Sequence, residues 1–255
     1  MPEIRLLKTG ASSAALNMGI DEAILTLLSQ GQTVPTLRFY TWSPPACSIG
    51  YFQSIGAELD LSHCKELQID VVRRMTGGGA VFHEHEVTYS FLAPLKEDYV
   101  PAKILDSYLK ISEGIILGLK PLGVTVEFKP LNDLVVNGKK ISGNAQTRRL
   151  GILLQHGTIL LKTDVAKMFQ ILKVPNEKIR DKLVADVRER VTSLEQVLGR
   201  KVTEAEVIEA LESGFRAAFP ELTFVAGNLS SEEEQLAPKL AREKYESTAW
   251  NFKTE

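Results

Sequence analysis

The stretch RRMTGGGAVFHEHEVTYSF, residues 73–91, decides how this chain is read, because three consecutive glycines stand between two runs of strand character. IDVV (69–72), just before it, is a short apolar run of the kind that forms a buried strand, and VTYSF (87–91) alternates with a period of two. The glycines therefore join strand to strand. A dinucleotide fingerprint needs GxGxxG opening a helix, and a P-loop needs Gly-Lys-Ser/Thr at a helix start, so neither common nucleotide motif is present. Glycine has two uses in such a connection: it accepts positive φ, and it lets backbone N–H groups reach an anion that a Cβ would hold away. Gly77, Gly78 and Gly79 thus offer bare main chain, with Arg73 and Arg74 beside it. Neighbours on an extended segment point to opposite faces, so one of the two arginines at most is expected to face a ligand. A glycine-rich hairpin with solvated arginines is the plainer alternative.

LNDLVVNGKKISGNAQTRR (131–149) carries the second signal. Asn137-Gly138 between apolar runs predicts a two-residue hairpin, because both central positions of a type I′ turn need positive φ. The register that follows pairs Val136 with Lys139, Val135 with Lys140 and Leu134 with Ile141. One face then carries Leu134, Val136, Lys139 and Ile141, the other Asp133, Val135, Lys140 and Ser142. Lys140 projects among polar groups and is the functional candidate, whereas the stem of Lys139 lies on hydrocarbon. Gly143, on the same strand, again permits close approach of a ligand. Two solvated lysines at a hairpin tip are the alternative.

Working outward, 255 residues with 44% hydrophobic and 24% charged content describe a globular chain of enzyme size. A net charge of −2 supplies no field to attract nucleic acid or an anionic membrane, so neither is an expected partner. MPEIRLLKTG lacks the plan of a signal peptide and no apolar run approaches bilayer length, which makes the cytoplasm the expected compartment. Leu16, Ile20, Ile24, Leu27 and Leu28 predict a first helix ending at Gly31. TLRFYTW and ACSIGYFQ read as strands broken by Ser43, Pro44 and Pro45, and Ile104, Tyr108, Ile111, Ile115 and Leu119 mark a second long helix after Pro101. Helices dominate beyond residue 160, two of them opened by capping-box patterns, Thr203 with Glu206 and Ser231 with Glu234. The expected organisation is one domain over 1–255 with a helical C-terminal extension from about 200.

Two further chemistries need weighing. His83 and His85, two apart on an expected strand, have the spacing of a metal pair with His156 as third ligand, which makes a zinc hydrolase a rival reading. Cys47 and Cys64 are the chain's two cysteines, without CxxC spacing, and read as inert buried thiols. Tyr245, Trp250 and Phe252 are expected to fasten the C-terminal tail by apolar contact.

RRMTGGGAVFH, LNDLVVNGKKISGNA, QHGTILL and AWNF, in that order, resemble the lipoate-protein ligase A family within the biotin/lipoate ligase and octanoyltransferase superfamily. The resemblance runs through nearly the whole chain. It implies an α/β (α+β) fold with a mixed, largely antiparallel sheet flanked by helices, in which the glycine loop and the lysine hairpin border one acyl-adenylate pocket. Carried over by position, it assigns Arg74, Gly77, Gly78, Gly79, Ala80, Val81, Phe82, Asn132, Asp133, Lys140 and Ala145 to ATP and lipoyl-AMP. Lys140 is the catalytic group, set between acyl carbonyl and phosphate; Val71, His83, Gly143 and His156 fall to the lipoate pocket, and no protein-held metal is implied.

The activity implied is ATP-dependent formation of lipoyl-AMP from lipoate, with Mg2+ held chiefly by phosphates, then transfer to a lysine of an acceptor lipoyl domain. Such acceptors are 2-oxoacid dehydrogenase E2 or glycine cleavage H-type proteins. A preorganised lysine and aimed backbone amides would stabilise the charge that gathers at the α-phosphate. Family ligases often carry a C-terminal accessory domain, which this chain is too short to include, so the resemblance implies either a separate accessory subunit that assists adenylation or transfer from a preformed adenylate only. HEHEVTYSF and QTRRLGILLQHG are also similar to the cysteine-dependent octanoyltransferases, which form an acyl-thioester. The segment before NDL reads EFKPL and the residue two before His156 is Leu154, so neither position where those relatives place the cysteine holds one. Ligation is the expected activity, cysteine-dependent octanoyl or lipoyl transfer the alternative.

Overall fold

The computed structural model describes residues 1–173 and 177–254. Its strands are β1 (Glu3–Ser12), β2 (Thr36–Trp42), β3 (Ala46–Ile49), β4 (Asp70–Arg73), β5 (Val81–His83), β6 (Glu86–Pro94), β7 (Glu127–Lys129), β8 (Asp133–Val136), β9 (Lys139–Arg149), β10 (Ile152–Leu160) and β11 (Thr223–Ala226). Eight form a sheet in the order β11-β1-β2-β6-β10-β9-β8-β7, and β4-β3-β5 form a second, smaller one. β1 runs parallel to β2 and β11, and every pairing from β2 to β7 is antiparallel. The fold is thus the expected mixed, largely antiparallel sheet flanked by helices.

One face of the large sheet carries the main apolar core. Val87, Tyr89 and Phe91 of β6, Leu153 and Ile159 of β10, and Leu134 and Val136 of β8 bury against Ile111, Ile115 and Leu119 of the helix Ile104–Leu119 and Val207, Leu211 and Phe215 of the helix Glu204–Ala218. Each such side chain contributes about 1.5–3 kcal/mol on burial, which makes this face the main source of stability. The last third of the chain is woven into the body: the helix Glu204–Ala218 completes that core, and β11 adds an edge strand beside β1. Thr203 caps its helix through the Glu206 N–H, but the Glu206 carboxylate pairs with Arg200, so the expected box stays open. The closed box lies one residue earlier than the spacing predicts, between Ser230 and Glu233, because Glu233 also reaches Arg5 and is fully buried there.

The opposite face receives the helix Ala14–Ser29, which begins at the Ser13 cap, and the small sheet. ACSIGYFQ yields only the four-residue β3, since the chain turns at Gly50, where a Cβ would stand 2.0 Å from the Gly78 carbonyl oxygen. The C-terminal tail is held by more than apolar contact. Buried Arg73 donates to the carbonyls of Trp250 and Asn251, its N–H donates to Asn251 Oδ1, and the Trp250 indole donates back to the Arg73 carbonyl. Tyr245 is buried, whereas Phe252 remains partly exposed.

The lysine hairpin departs from the simple register. Val136 pairs with Lys139 and Val135 with Lys140, as the turn demands, but Leu134 pairs with Ser142 and Asp133 with Gly143. Ile141 is the extra residue of a β-bulge, and it is drawn into the core with no exposed surface. The bulge moves Ser142 from the polar face to the buried one and brings Gly143 onto the face of Lys140.

Candidate functional site

The sheet face opposite the main core is tiled by small and polar residues where a buried sheet would carry hydrocarbon. Directly paired residues share a face, so the registers define rows across it. One row runs Asp133, Gly143, Thr158, Thr88, Tyr40; the next runs Ala145, His156, Ser90, Arg38; on the other side of the first, Leu160 pairs with Glu86. Gly143, Ala145 and Thr158 keep partial exposure, and they form the floor of the site.

Lys140 lies on this floor. Its ammonium sits 2.6 Å from Asp133 Oδ1, and a Cβ at Gly143 would stand 2.8 Å from both Lys140 Cε and Nζ. Gly143 therefore serves the lysine: without a side chain there, the ammonium folds back over the sheet to its carboxylate. Asn132 fixes the turn that supplies Asp133, since its side-chain amide donates to the Asn144 carbonyl and the Asn144 amide donates to the Asn132 carbonyl.

The glycine loop roofs the floor. Thr76 Oγ1 is 2.7 Å from His156 Nε2, which fastens the loop above β10. Gly78 alone of the three glycines needs positive φ, at +99°, and it packs on Gly50; Cβ atoms at Gly77 and Gly79 would meet nothing within 4 Å. The fold thus accounts for Gly78 and leaves Gly77 and Gly79 as main chain open to approach.

Neither arginine is solvated. Arg74 is buried, and its guanidinium donates to the Ser48 carbonyl and hydroxyl and to the carbonyls of Gly77 and Gly79, which makes it the clamp that shapes the loop. Burial pushes it down to about 10.

Two buried networks support the floor; His83 and His156 are expected members of the site, but their acidic partners are not. Asp21, from the helix Ala14–Ser29, accepts from Arg38 at 2.7 Å, Ser90 at 2.8 Å and Tyr40 at 3.3 Å, and His156 Nδ1 lies 3.7 Å away. Burial would raise the Asp21 carboxyl, but Arg38, with help from His156 and Ser90, holds it below the usual range. Burial lowers His156 despite Asp21, and its Nδ1, at 3.7 Å from Asp21, is without a hydrogen bond among the described residues. In the second network His83 stacks on Trp42 at 4.0 Å, with Nδ1 2.7 Å from Glu86 Oε1 and Nε2 2.8 Å from Ser48 Oγ. Asp21 and Glu86 read in sequence as ordinary helix and strand acids. Only the burial imposed by packing makes them part of a site.

Some expected members lie elsewhere. Val71 and Phe82 both pair with Cys47 and so turn away from the floor, into a minor core with Ile49, Ile55, Leu59 and Cys64. Val71 therefore lines no acyl slot, although Phe82 also borders a cavity described below. Val81 and His83 point the other way, toward the floor, and Ala80 packs at the edge of the minor core. His85 does not share a strand face with His83: the chain bends at 84–85, His83 is sealed with both nitrogens engaged, and the side chain of His85 is half exposed. No group of three metal-ligating side chains occurs among the described residues. Cys47 has no exposed surface and burial pushes its thiol far up; burial and Asp60 push Cys64 up to about 11.

Comparison with known proteins agrees with this architecture. The chain is 40% identical to octanoyltransferase LipM of Carboxydothermus hydrogenoformans, over 94% of this chain and 95% of the relative, and 36% identical to octanoyltransferase LipM of Brevibacillus brevis, over 99% and 100%. Among solved structures it superposes on the bi-partite lipoate protein ligase of Thermoplasma acidophilum with a TM-score of 0.89 at 32% identity, covering 100% of this chain and 98% of the other. It superposes on a lipoate-protein ligase A bound with ATP with a TM-score of 0.85 at 30% identity, covering 99% and 100%. Residues 13–216 match the profile of the lipoyl protein ligase A/B catalytic domain, and on sequence and fold the chain belongs to that family.

Proposed function

We propose that this chain is an enzyme that transfers an octanoyl or lipoyl group from an activated donor to the ε-amine of a lysine on an acceptor lipoyl domain, without forming an acyl-cysteine. The observation that carries this reading is the floor itself: the Lys140 ammonium lies on a sheet face roofed by bare main chain, while both thiols of the chain are sealed in a separate core. An acyl carbonyl resting on Lys140 would have its developing negative charge met by a fixed cation and aimed amides, which stabilise the transition state more than the ground state. The names of the curated relatives favour a preformed octanoyl donor, and displacement of its leaving group by the amine then needs no nucleotide.

A second reading, ligation through lipoyl-AMP, is favoured by the full-length likeness to a ligase bound with ATP and by the absence of a thiol from the floor. The residues fit a nucleotide: no side chain or neighbouring atom occupies the Cβ side of Gly77 and Gly79, which leaves room for phosphate oxygens, and Lys140 lies beside Asp133 on the floor. One experiment separates the two. The protein is incubated with an apo lipoyl domain and either octanoyl carrier protein or lipoate with ATP and Mg2+, with and without a candidate accessory subunit, and read by intact mass. The Cys47→Ser/Cys64→Ser double variant should acylate the acceptor as well as the native chain. An acyl adduct on either cysteine, or loss of transfer in a folded double variant, would sink the cysteine-free reading.

A further inference from the structure

A cavity of about 80 Å3 lies beside the floor. Phe82, Leu160, Met168 and Val191 form its apolar wall, and Glu86 lines it beside Glu84, whose carboxylate is already paired with Lys167. Glu86 is 1% exposed. Its Oε1 accepts from Thr88 Oγ1 at 2.7 Å and lies 2.7 Å from His83 Nδ1, but its Oε2 has no partner among the described residues. A buried carboxylate oxygen without a donor is costly, and its retention points to a donor that arrives with a ligand. Hydrocarbon walls beside carboxylates suit one chemistry in particular: a primary ammonium on an alkyl stem.

We propose that Glu86 is a catalytic residue that accepts the proton of the acceptor lysine; the inference rests on the acyl-transfer reading and deepens it. The cavity borders the floor: Leu160 and Glu86, both in its lining, pair in the row beside that of Thr158 and Thr88, and Val191, also in its lining, forms a bridge with Lys140. Thr88, two residues from Glu86, is two strands away from Gly143, which lies beneath the Lys140 ammonium. Two strand spacings are about 10 Å. Because Glu86 Oε1 accepts from Thr88 Oγ1, a gap of this size admits an acyl carbonyl whose oxygen meets the Lys140 ammonium and an amine that attacks the acyl carbon from above the carbonyl plane with its N–H toward Glu86. One ammonium proton passes to Oε2 and frees the lone pair, which forms the bond from nitrogen to acyl carbon. The bond from that carbon to the leaving group breaks with its electron pair, the leaving group takes a second proton from nitrogen, and Glu86 returns its own to water. His83, held by Ser48, keeps the carboxylate aimed.

The test compares two acceptors on the whole chain. Lysine of an apo lipoyl domain must lose a proton before attack, whereas hydroxylamine is already neutral at pH 7. Glu86→Gln keeps the shape and is expected to slow transfer to lysine about 100-fold at pH 7, with the deficit shrinking as pH rises and lysine deprotonates unaided. Transfer to hydroxylamine and KM for the donor should stay within about threefold of the native chain, a factor worth under 1 kcal/mol. Glu86→Asp, still able to take a proton, should recover part of the lysine rate. Equal slowing toward both acceptors would make Glu86 structural, a raised donor KM with lysine transfer intact would assign Oε2 to the donor, and an unaltered lysine rate would leave it no role; each overturns the proposal. A native chain that acylates neither acceptor overturns the acyl-transfer reading itself.

Discussion

Substituting the two glycines that the fold does not require tests whether main chain is the contact surface. In the Gly77→Ala/Gly79→Ala variant both new methyls enter open space, with no heavy atom within 4 Å, and neither residue has positive φ. At such positions alanine lowers the entropy of the unfolded chain and stabilises by about 0.4–1 kcal/mol per site. The variant should therefore be about 1–2 kcal/mol more stable than the native chain, a Tm rise of a few degrees at this size. Its activity should fall sharply. A backbone donor aimed at developing negative charge is worth about 2.7–4 kcal/mol, so a methyl that keeps substrate off the loop should reduce kcat about 10²–10³-fold. The assay is acyl transfer to an apo lipoyl domain beside a calorimetric melt. Gly50→Ala is the control, because its Cβ would lie 2.0 Å from the Gly78 oxygen and should cost both stability and activity. A double variant that is stable and fully active would refute the claim that the loop meets substrate with its backbone.

Four further outcomes are expected. Lys140→Ala should lose at least about 100-fold in transfer while its Tm barely moves, because the half-exposed pair with Asp133 contributes about 0–1 kcal/mol. Iodoacetamide should leave the folded protein active and unalkylated at pH 8, since burial pushes both thiols up, Cys64 to about 11; rapid alkylation with loss of activity would contradict the sealed core. His156 has its folded value lowered below its usual 6.5, so the unfolded chain takes up the proton first and stability is lost as pH falls below about 6.5; Asp21, lowered from 3.8, adds a further loss in stronger acid. Melts from pH 8 to 5 should show a decline in Tm that His156→Gln flattens. Ser230→Ala, which opens the capping box with Glu233, should cost about 0.5–2 kcal/mol by urea titration without touching kcat.

What the sequence determined by itself were the features with local causes. The Asn137-Gly138 turn, the helices at 14–29 and 104–119, and the passage from strand through glycines to strand each follow from a few neighbouring residues and a fixed period. The motifs resembling the ligase family likewise carried their order in the chain, and with it the fold. Tertiary structure alone decided the rest. Nothing local marks Ile141 as the extra residue of a bulge; the core takes it because it is apolar, and the exchange places Gly143 rather than Ser142 beneath Lys140. Val71 and Val81 look alike in sequence, but small-sheet register sends one into the minor core and the other toward the floor. Arg74, Asp21 and Glu86 owe their roles to burial, which brings Ser48 to the first, Arg38 and Ser90 to the second and Leu160 of β10 beside the third, a property of packing that no window of sequence contains.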